Sequence, residues 1–282
     1  MLHFEPNNLT YKLVDLLSIT DEFPASSLYL VGKERVVKAL VKNSLGPMKS
    51  AAPLPNYPVF YSSKVLKQVD ENGIKRVMFT RVVGLLVADG VGYAVYNMRN
   101  ALMKWNGNGE AKAKWYLTDI VRANVGLSEV DSAILFGKTN EVALKTLEES
   151  ERNRRLDLRF DGIYPYIYFI PLNEFGVRQL KVFGVPNWKE KRLGSLFDPR
   201  IRSYNKGAFE YDAFLNGTYV YSFLDGDIAR LVRLKMAVKD GDEKIEVICF
   251  PHQLNLLKSY IDLAVTYQTL KLSAVEEALE IT

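Results

Sequence analysis

The chain has 282 residues, 48% of them apolar and 25% charged, with 37 basic and 33 acidic side chains and a net charge of +4. That size suits one large globular domain or two smaller ones, and so mild a charge lacks the concentrated basic footprint of a dedicated nucleic-acid binder. The single Cys249 excludes an internal disulfide and fits a reducing compartment. The supply of 16 Tyr and 14 Phe suits either a large core with Tyr at its rim or extended interfaces.

Met1–Asp21 mixes polar residues among its leucines, unlike a signal peptide. Apolar runs such as Val82–Ala88 fall far short of the roughly 20 residues of a membrane span. The expectation is therefore a cytoplasmic protein with no membrane partner, in which the N-x-T triplets at Asn8 and Asn216 are chance.

In chain order, the spacing of Leu9, Leu13, Leu16 and Leu17 predicts a helix over Leu9–Ile19. A second helix over Lys33–Leu45 buries Val36, Val37, Leu40 and Val41, and Gly46-Pro47 stops it. Ala51–Pro58, with three prolines, reads as an extended linker or arm. Val59–Val69 and Ile74–Val83 form a hairpin through Asn72-Gly73. The stretch Gly84–Trp105 fits a helix over Val91–Trp105 or a second hairpin through Asp89-Gly90, and the helix is preferred. Further helices follow at Glu110–Asn124, Ser128–Phe136 and Asn140–Arg154, with Ser128, Asp131 and Thr139 as capping residues.

Beyond Arg155 the pattern turns to strands at Leu156–Phe160, Tyr164–Pro171 and Gln179–Val185. Phe209–Leu215 and Thr218–Leu224 make a hairpin through Asn216-Gly217, and Leu231–Val238 with Lys244–Phe250 another through Asp240-Gly241. A final helix runs from Pro251 to about Leu279. The fold class expected is α+β. A helical part, residues 1–155 with the hairpin 59–83, precedes an antiparallel β part, residues 156–282, closed by a long C-terminal helix; the two parts can also be one intertwined domain.

No complete catalytic or metal site is written in these residues. Gly137-Lys138-Thr139 has the end of a phosphate-binding loop, but Ser132 stands where that loop needs its first glycine, and a helix is expected before it rather than a strand. Gly90-Val-Gly92 and Gly107-Asn-Gly109 are fragments of glycine-rich patterns and read as turns. Cys249 and His252 have a Cys-x-x-His spacing, yet His3 is the only other His or Cys in the chain, too few for a closed zinc site. Asp225, Asp227, Asp240, Asp242 and Glu243 cluster at turns, where short acidic side chains serve backbone geometry. No metal, cofactor or catalytic residue is assigned.

The basic residues are more suggestive. Arg152, Arg154 and Arg155 end a helix, and Lys189, Lys191, Arg192, Arg200 and Arg202 lie between Val185 and Ala208. Arg230, Arg233 and Lys235 share one expected strand and are the candidate DNA-facing groups, Arg233 and Lys235 on the same side. The C-terminal helix is apolar around most of its circumference. Leu254, Leu257, Ile261, Ala264 and Val265 line one face, and Leu256, Tyr260, Leu263, Tyr267 and Leu270 another. Such a helix is buried on more than one side, inside one chain or between subunits.

A strand over Ile245–Phe250 entering a proline-started helix with Leu254, Leu257, Tyr260, Ala264 and Tyr267 resembles the head-to-tail connector proteins of tailed bacteriophages, over about a sixth of the chain. The resemblance implies a non-enzymatic structural subunit of a ring in the virion neck, assembled in the host cytoplasm. Its partners would be copies of itself, other structural proteins of the particle and DNA in a central channel. The candidate subunit interface is then Leu254, Leu257, Tyr260, Ile261, Ala264 and Tyr267. A nucleic-acid-associated binding protein is the alternative, and a carboxylate-based, metal-dependent hydrolase using Asp225 and Asp227 a second.

Overall fold

The computed structural model describes residues 59–62, 82–88, 90–98, 105–124, 126–137, 139–171, 174–183, 185, 188, 203–238, 244–261 and 265–280. The expected helices Leu9–Ile19 and Lys33–Leu45, the arm Ala51–Pro58 and the turn at Asn72-Gly73 lie outside them.

The protein contains both helices and sheets. Strands β1 (Val59–Ser62), β2 (Val82–Ala88), β3 (Val91–Asn97), β4 (Ser132–Gly137) and β5 (Tyr166–Pro171) form one sheet in the order β1-β2-β3-β4-β5. Here β1–β2 and β2–β3 are antiparallel, while β3–β4 and β4–β5 are parallel. Parallel neighbours need a crossover, and helices α1 (Gly107–Asn124) and α2 (Asn140–Glu151) supply two. Between α2 and β5 lie a 3-10 turn at Leu156–Leu158 and the four-residue α3 (Phe160–Ile163), followed after β5 by α4 (Glu174–Phe183).

A second sheet has the order β11-β10-β9-β8, built from β8 (Ala213–Leu215), β9 (Thr218–Ser222), β10 (Ile245–Cys249) and β11 (Val265–Thr269). Only β8–β9 is antiparallel; β10 runs parallel to both β9 and β11. The links are α5 (Ile228–Val238) between β9 and β10, then a 3-10 turn at Pro251–Gln253 and α6 (Leu254–Tyr260) before β11, with α7 (Leu272–Ala278) last. A two-stranded ribbon of β6 (Tyr204–Lys206) and β7 (Phe209–Tyr211) completes the elements.

Alternation along the strands sets the layers. Ala94 and Tyr96 of β3, Ala133 and Leu135 of β4, Ile167 and Phe169 of β5, Tyr221 of β9, and Val247 and Cys249 of β10 enter one core. Tyr93, Val95, Ile134, Phe136, Tyr168, Ile170, Val220 and Ile248 enter another. The first core is closed by α1, α2, α3, α5 and α6, through residues such as Leu117, Leu147, Phe160, Leu231 and Leu257. The second is closed by α4 and α7, through Val182, Leu272 and Val275. Each core takes residues from both sheets. The sheets therefore lie side by side in a helix–sheet–helix sandwich, and a bridge between Tyr168 of β5 and Asp227 joins them.

Several expectations are corrected. Val91–Asn97 is a strand, not a helix, and Ser132–Gly137 replaces the helix expected at Ser128–Phe136; both are covered on two faces, which removes any polar stripe. Leu156–Phe160 is turn and helix, and most of the strand expected over Gln179–Val185 belongs to α4. Leu231–Val238 is helical, so the third hairpin is a crossover into a parallel strand and the C-terminal half is not chiefly antiparallel. The long C-terminal helix is two short helices separated by β11. Strand β5, from residues 156–282, pairs with β4, from residues 1–155.

The hairpin at Asn216-Gly217 is found as expected: φ is 51° and 79°, the paired left-handed residues of a tight two-residue turn. Gly226 has φ of 73° for another reason, since a Cβ there would sit 2.7 Å from the Phe169 carbonyl oxygen of β5. Gly217→Ala, with open space around it, will cost about 1 kcal/mol from backbone strain alone. Gly226→Ala will cost about 2–4 kcal/mol, because strain and the clash add. Urea denaturation of both variants measures this, and equal losses would contradict the close approach of the two sheets.

Candidate functional site

A group of buried acidic side chains lies where the sheets meet. Asp227 immediately precedes α5, and its Oδ1 accepts the N–H groups of Ala229 at 3.0 Å and Arg230 at 3.1 Å, two of the orphan donors of the helix start. The same oxygen accepts the N–H of Ile167 on β5 at 3.2 Å. Asp225 Oδ1 in turn accepts the Asp227 N–H at 3.0 Å. Burial, and then the neighbouring Asp225, push the Asp227 carboxyl up to about 6, against the opposing pull of Arg233 and the backbone N–H donors.

Arg230 closes the other side. It forms an ion pair with Asp212 at 3.1 Å, donates to the Glu210 carbonyl at 2.8 Å, and lies over the Tyr221 ring at 4.9 Å and the Phe209 ring at 5.7 Å. Asp212 also accepts the Ser222 N–H at 2.5 Å. Burial disfavours the charge on Arg230, but Asp212, with Tyr221 and Asp225, outweighs it and the guanidinium holds its proton more tightly. Each charge here is spent on a partner inside the fold. Among the described residues no three His, Cys, Asp or Glu side chains come together as a metal site.

The candidate DNA-facing residues do not share a face. On α5 a two-residue step turns about 200°, so Arg233 and Lys235 diverge. Arg233 donates to the Pro165 carbonyl at 3.0 Å, and Lys235 Nζ lies 4.1 Å from the Tyr260 ring centroid. Of the candidate interface residues, Leu257 and Ile261 are buried, and Leu254, Tyr260 and Tyr267 are half-buried against the same core. Their own chain already covers much of the surface they offer. Ala264 lies outside the described residues, as do Lys189, Lys191, Arg192, Arg200 and Arg202.

Gly137-Lys138-Thr139 follows a strand, contrary to expectation, and leads into α2. Ser132 begins β4, about 17 Å from Gly137 along an extended chain, so the intervening residues form a strand and not a phosphate-cradling loop. Thr139 takes the N-cap position, but its hydroxyl makes no cap bond and its carbonyl accepts the Val142 N–H at 3.1 Å. Ser128 and Asp131 cap nothing, since no helix starts there. Cys249 is buried, with its thiol pushed up to about 11 by that burial, and His252 packs between Phe175 and Phe250.

Two surfaces absent from the sequence-based candidates stand out. Trp115 on α1 is 67% exposed and borders two clefts, of about 370 and 340 Å³. Lys114 lines both, with Lys112 and Arg155 in the first and Arg122 in the second. Leu156, 70% exposed, lies in the turn that packs on α1. The helical period held this signal: Ala113, Leu117 and Val121 mark the buried stripe, and Trp115 falls opposite it. The second surface is a ring cluster of Tyr204, Phe214 and Tyr219, which only the folding of β6 beside β8 and β9 assembles.

No known family model matches this chain, and no curated protein or solved structure matches it.

The elevated Asp227 carboxyl fixes the sign of a pH effect. A carboxyl that binds its proton more tightly folded than unfolded adds stability below the unfolded value near 4, and that stability is lost as pH rises through about 6. From pH 7 down to pH 4 the native protein will therefore gain about 1–3 kcal/mol relative to Asp227→Asn. Urea titrations across that range measure the difference, and a flat or falling one would contradict the burial of the Asp225–Asp227 pair.

Proposed function

We propose that this chain is a non-enzymatic structural assembly protein, a subunit that works by contact with copies of itself and with neighbouring proteins of a larger particle. The observation that carries the reading is Trp115. A tryptophan two-thirds exposed, flanked by clefts that basic and acidic side chains both line, has the chemistry of an interface anchor: large apolar area, a hydrogen-bonding edge and few rotamers to freeze.

A second feature supports it. Among the described residues nothing pairs with the outer edge of β11, whose sequence Val-Thr-Tyr-Gln-Thr contains neither the lysine nor the proline that commonly protect such edges. The acids that a hydrolase would need are instead committed to Arg230 and to backbone N–H groups. A virion neck ring is one particle this subunit could build. The arrangement that resembles connector proteins is not kept: Leu231–Val238 is helical and β11 interrupts the C-terminal segment. No described helix is long and apolar enough to cross a membrane.

Native mass measurement of the full chain and of Trp115→Ser tests the proposal. The native protein should form a defined oligomer, and Trp115→Ser should weaken it at least 10-fold, corresponding to about 1.4 kcal/mol or more. At concentrations where both proteins are dissociated, its melting temperature should match that of the native chain, because the ring is largely outside the core. A native protein that remains monomeric at high concentration would contradict the reading.

A further inference from the structure

We infer that the outer face of α1 is a two-fold contact between copies of this chain, with the two helices antiparallel and Trp115 of one beside Trp115 of the other. This rests on the assembly reading and deepens it by naming the occupant of the Trp115 surface and its orientation.

Among the described side chains of α1, the exposed ones are Asn108, Lys112, Trp115, Asp119 and Arg122. Their steps of four, three, four and three residues keep them within about 80° of arc, one straight stripe along the helix. That alternation is the spacing of a seam along which two helices pack. The stripe lies opposite the buried Ala113, Leu117 and Val121, so the contact leaves the core untouched. Trp115 stands at its middle, and Leu156, 70% exposed in the turn that packs on α1, adds apolar area to the same side. The clefts on either side of Trp115 leave space for an opposing ring.

Charge selects a second copy and sets its direction. The neighbouring charges are engaged within the chain: Lys114 lies 3.9 Å from Glu129, Arg155 pairs with Asp157, and Arg122 donates to the Ser128 carbonyl. Among the described residues the Lys112 and Asp119 side chains have no hydrogen bond or ion pair. They lie three residues before Trp115 and four after it, about 4.5 and 6 Å along the axis. Antiparallel helices with their Trp115 rings abreast therefore bring each Lys112 level with the second copy's Asp119 to within about 1.5 Å of rise. The two-fold axis forms that pair twice. Asn108, seven residues before Trp115, falls opposite Arg122, seven after it, and its amide oxygen accepts from a guanidinium. A parallel pair would set Lys112 against Lys112 and Asp119 against Asp119. The stripe thus complements its own reverse, as an isologous contact requires.

Sedimentation equilibrium of the full-length protein and three variants tests this. Lys112→Glu and Asp119→Lys each place like charges opposite one another twice, and each should weaken self-association at least 10-fold. The double variant Lys112→Glu/Asp119→Lys keeps the native net charge and restores both pairs with their signs exchanged, so its affinity should return to within about 3-fold of the native value. An oligomer that Trp115→Ser weakens, but that neither single charge reversal changes, would leave the assembly reading standing and overturn this inference. Single reversals that the double variant fails to rescue would also overturn it, since the face would then meet a different surface or run in a different direction. A native chain that stays monomeric at high concentration would overturn both.

Discussion

The Asp227 carboxylate sits where the two sheets meet, taking one N–H from Ile167 on β5 and two from the first turn of α5. Beside it the Tyr168–Asp227 bridge and the Phe169 N–H to Gly226 carbonyl bond, at 2.9 Å, stitch β5 to the turn that leads into α5. Gly226 allows this approach because no side chain intervenes. The rest of the architecture follows from the stitch. With β5 and the Gly226–Asp227 turn in register, both sheets present matching faces, and one helix layer can cover each side of the pair.

That arrangement explains why so many acids are buried there. A helix start placed between two sheets presents backbone N–H groups to a buried site, where each unpaired donor costs about 1–3 kcal/mol. Asp227 satisfies two of them, Asp225 holds the Asp227 N–H, and Asp212 satisfies Ser222 while balancing Arg230. The chemically expressive residues lie at the surface instead, on the outer face of α1 and on the β6–β8–β9 corner.

The sequence made some of this legible and hid the rest for physical reasons. The helix α1 carries a clear apolar stripe, the α2 region likewise, and Asn216-Gly217 meets a steric demand that few other pairs satisfy. The runs in β3 and β4 are apolar on both faces, so period alone does not separate them from buried helix. In α5 the helical signal is present beside the strand-like one: Ile228, Leu231, Val232, Leu234 and Val238 follow helical spacing, and Asp227 is a capping residue placed just before them. Conversely, Val265–Thr269 is rich in β-branched and aromatic residues, but its leucine-rich flanks extended a helical pattern through it. The charge of Arg230 alone does not reveal its ion pair. Its partner Asp212 lies eighteen positions away, and only the fold brings them together.

The central claim is that the two sheets form one cooperative unit held at Asp227. Native-state hydrogen exchange tests it most directly, because the Ile167 amide belongs to the first sheet and the Ala229 and Arg230 amides to α5, the helix that links β9 and β10 of the second. If the account is right, all three will exchange with one opening free energy, equal to that of global unfolding, and Asp227→Ala will lower all three together. Exchange of Ala229 and Arg230 at a lower free energy than Ile167, with the first sheet still protected, would show two units that open separately and would contradict it.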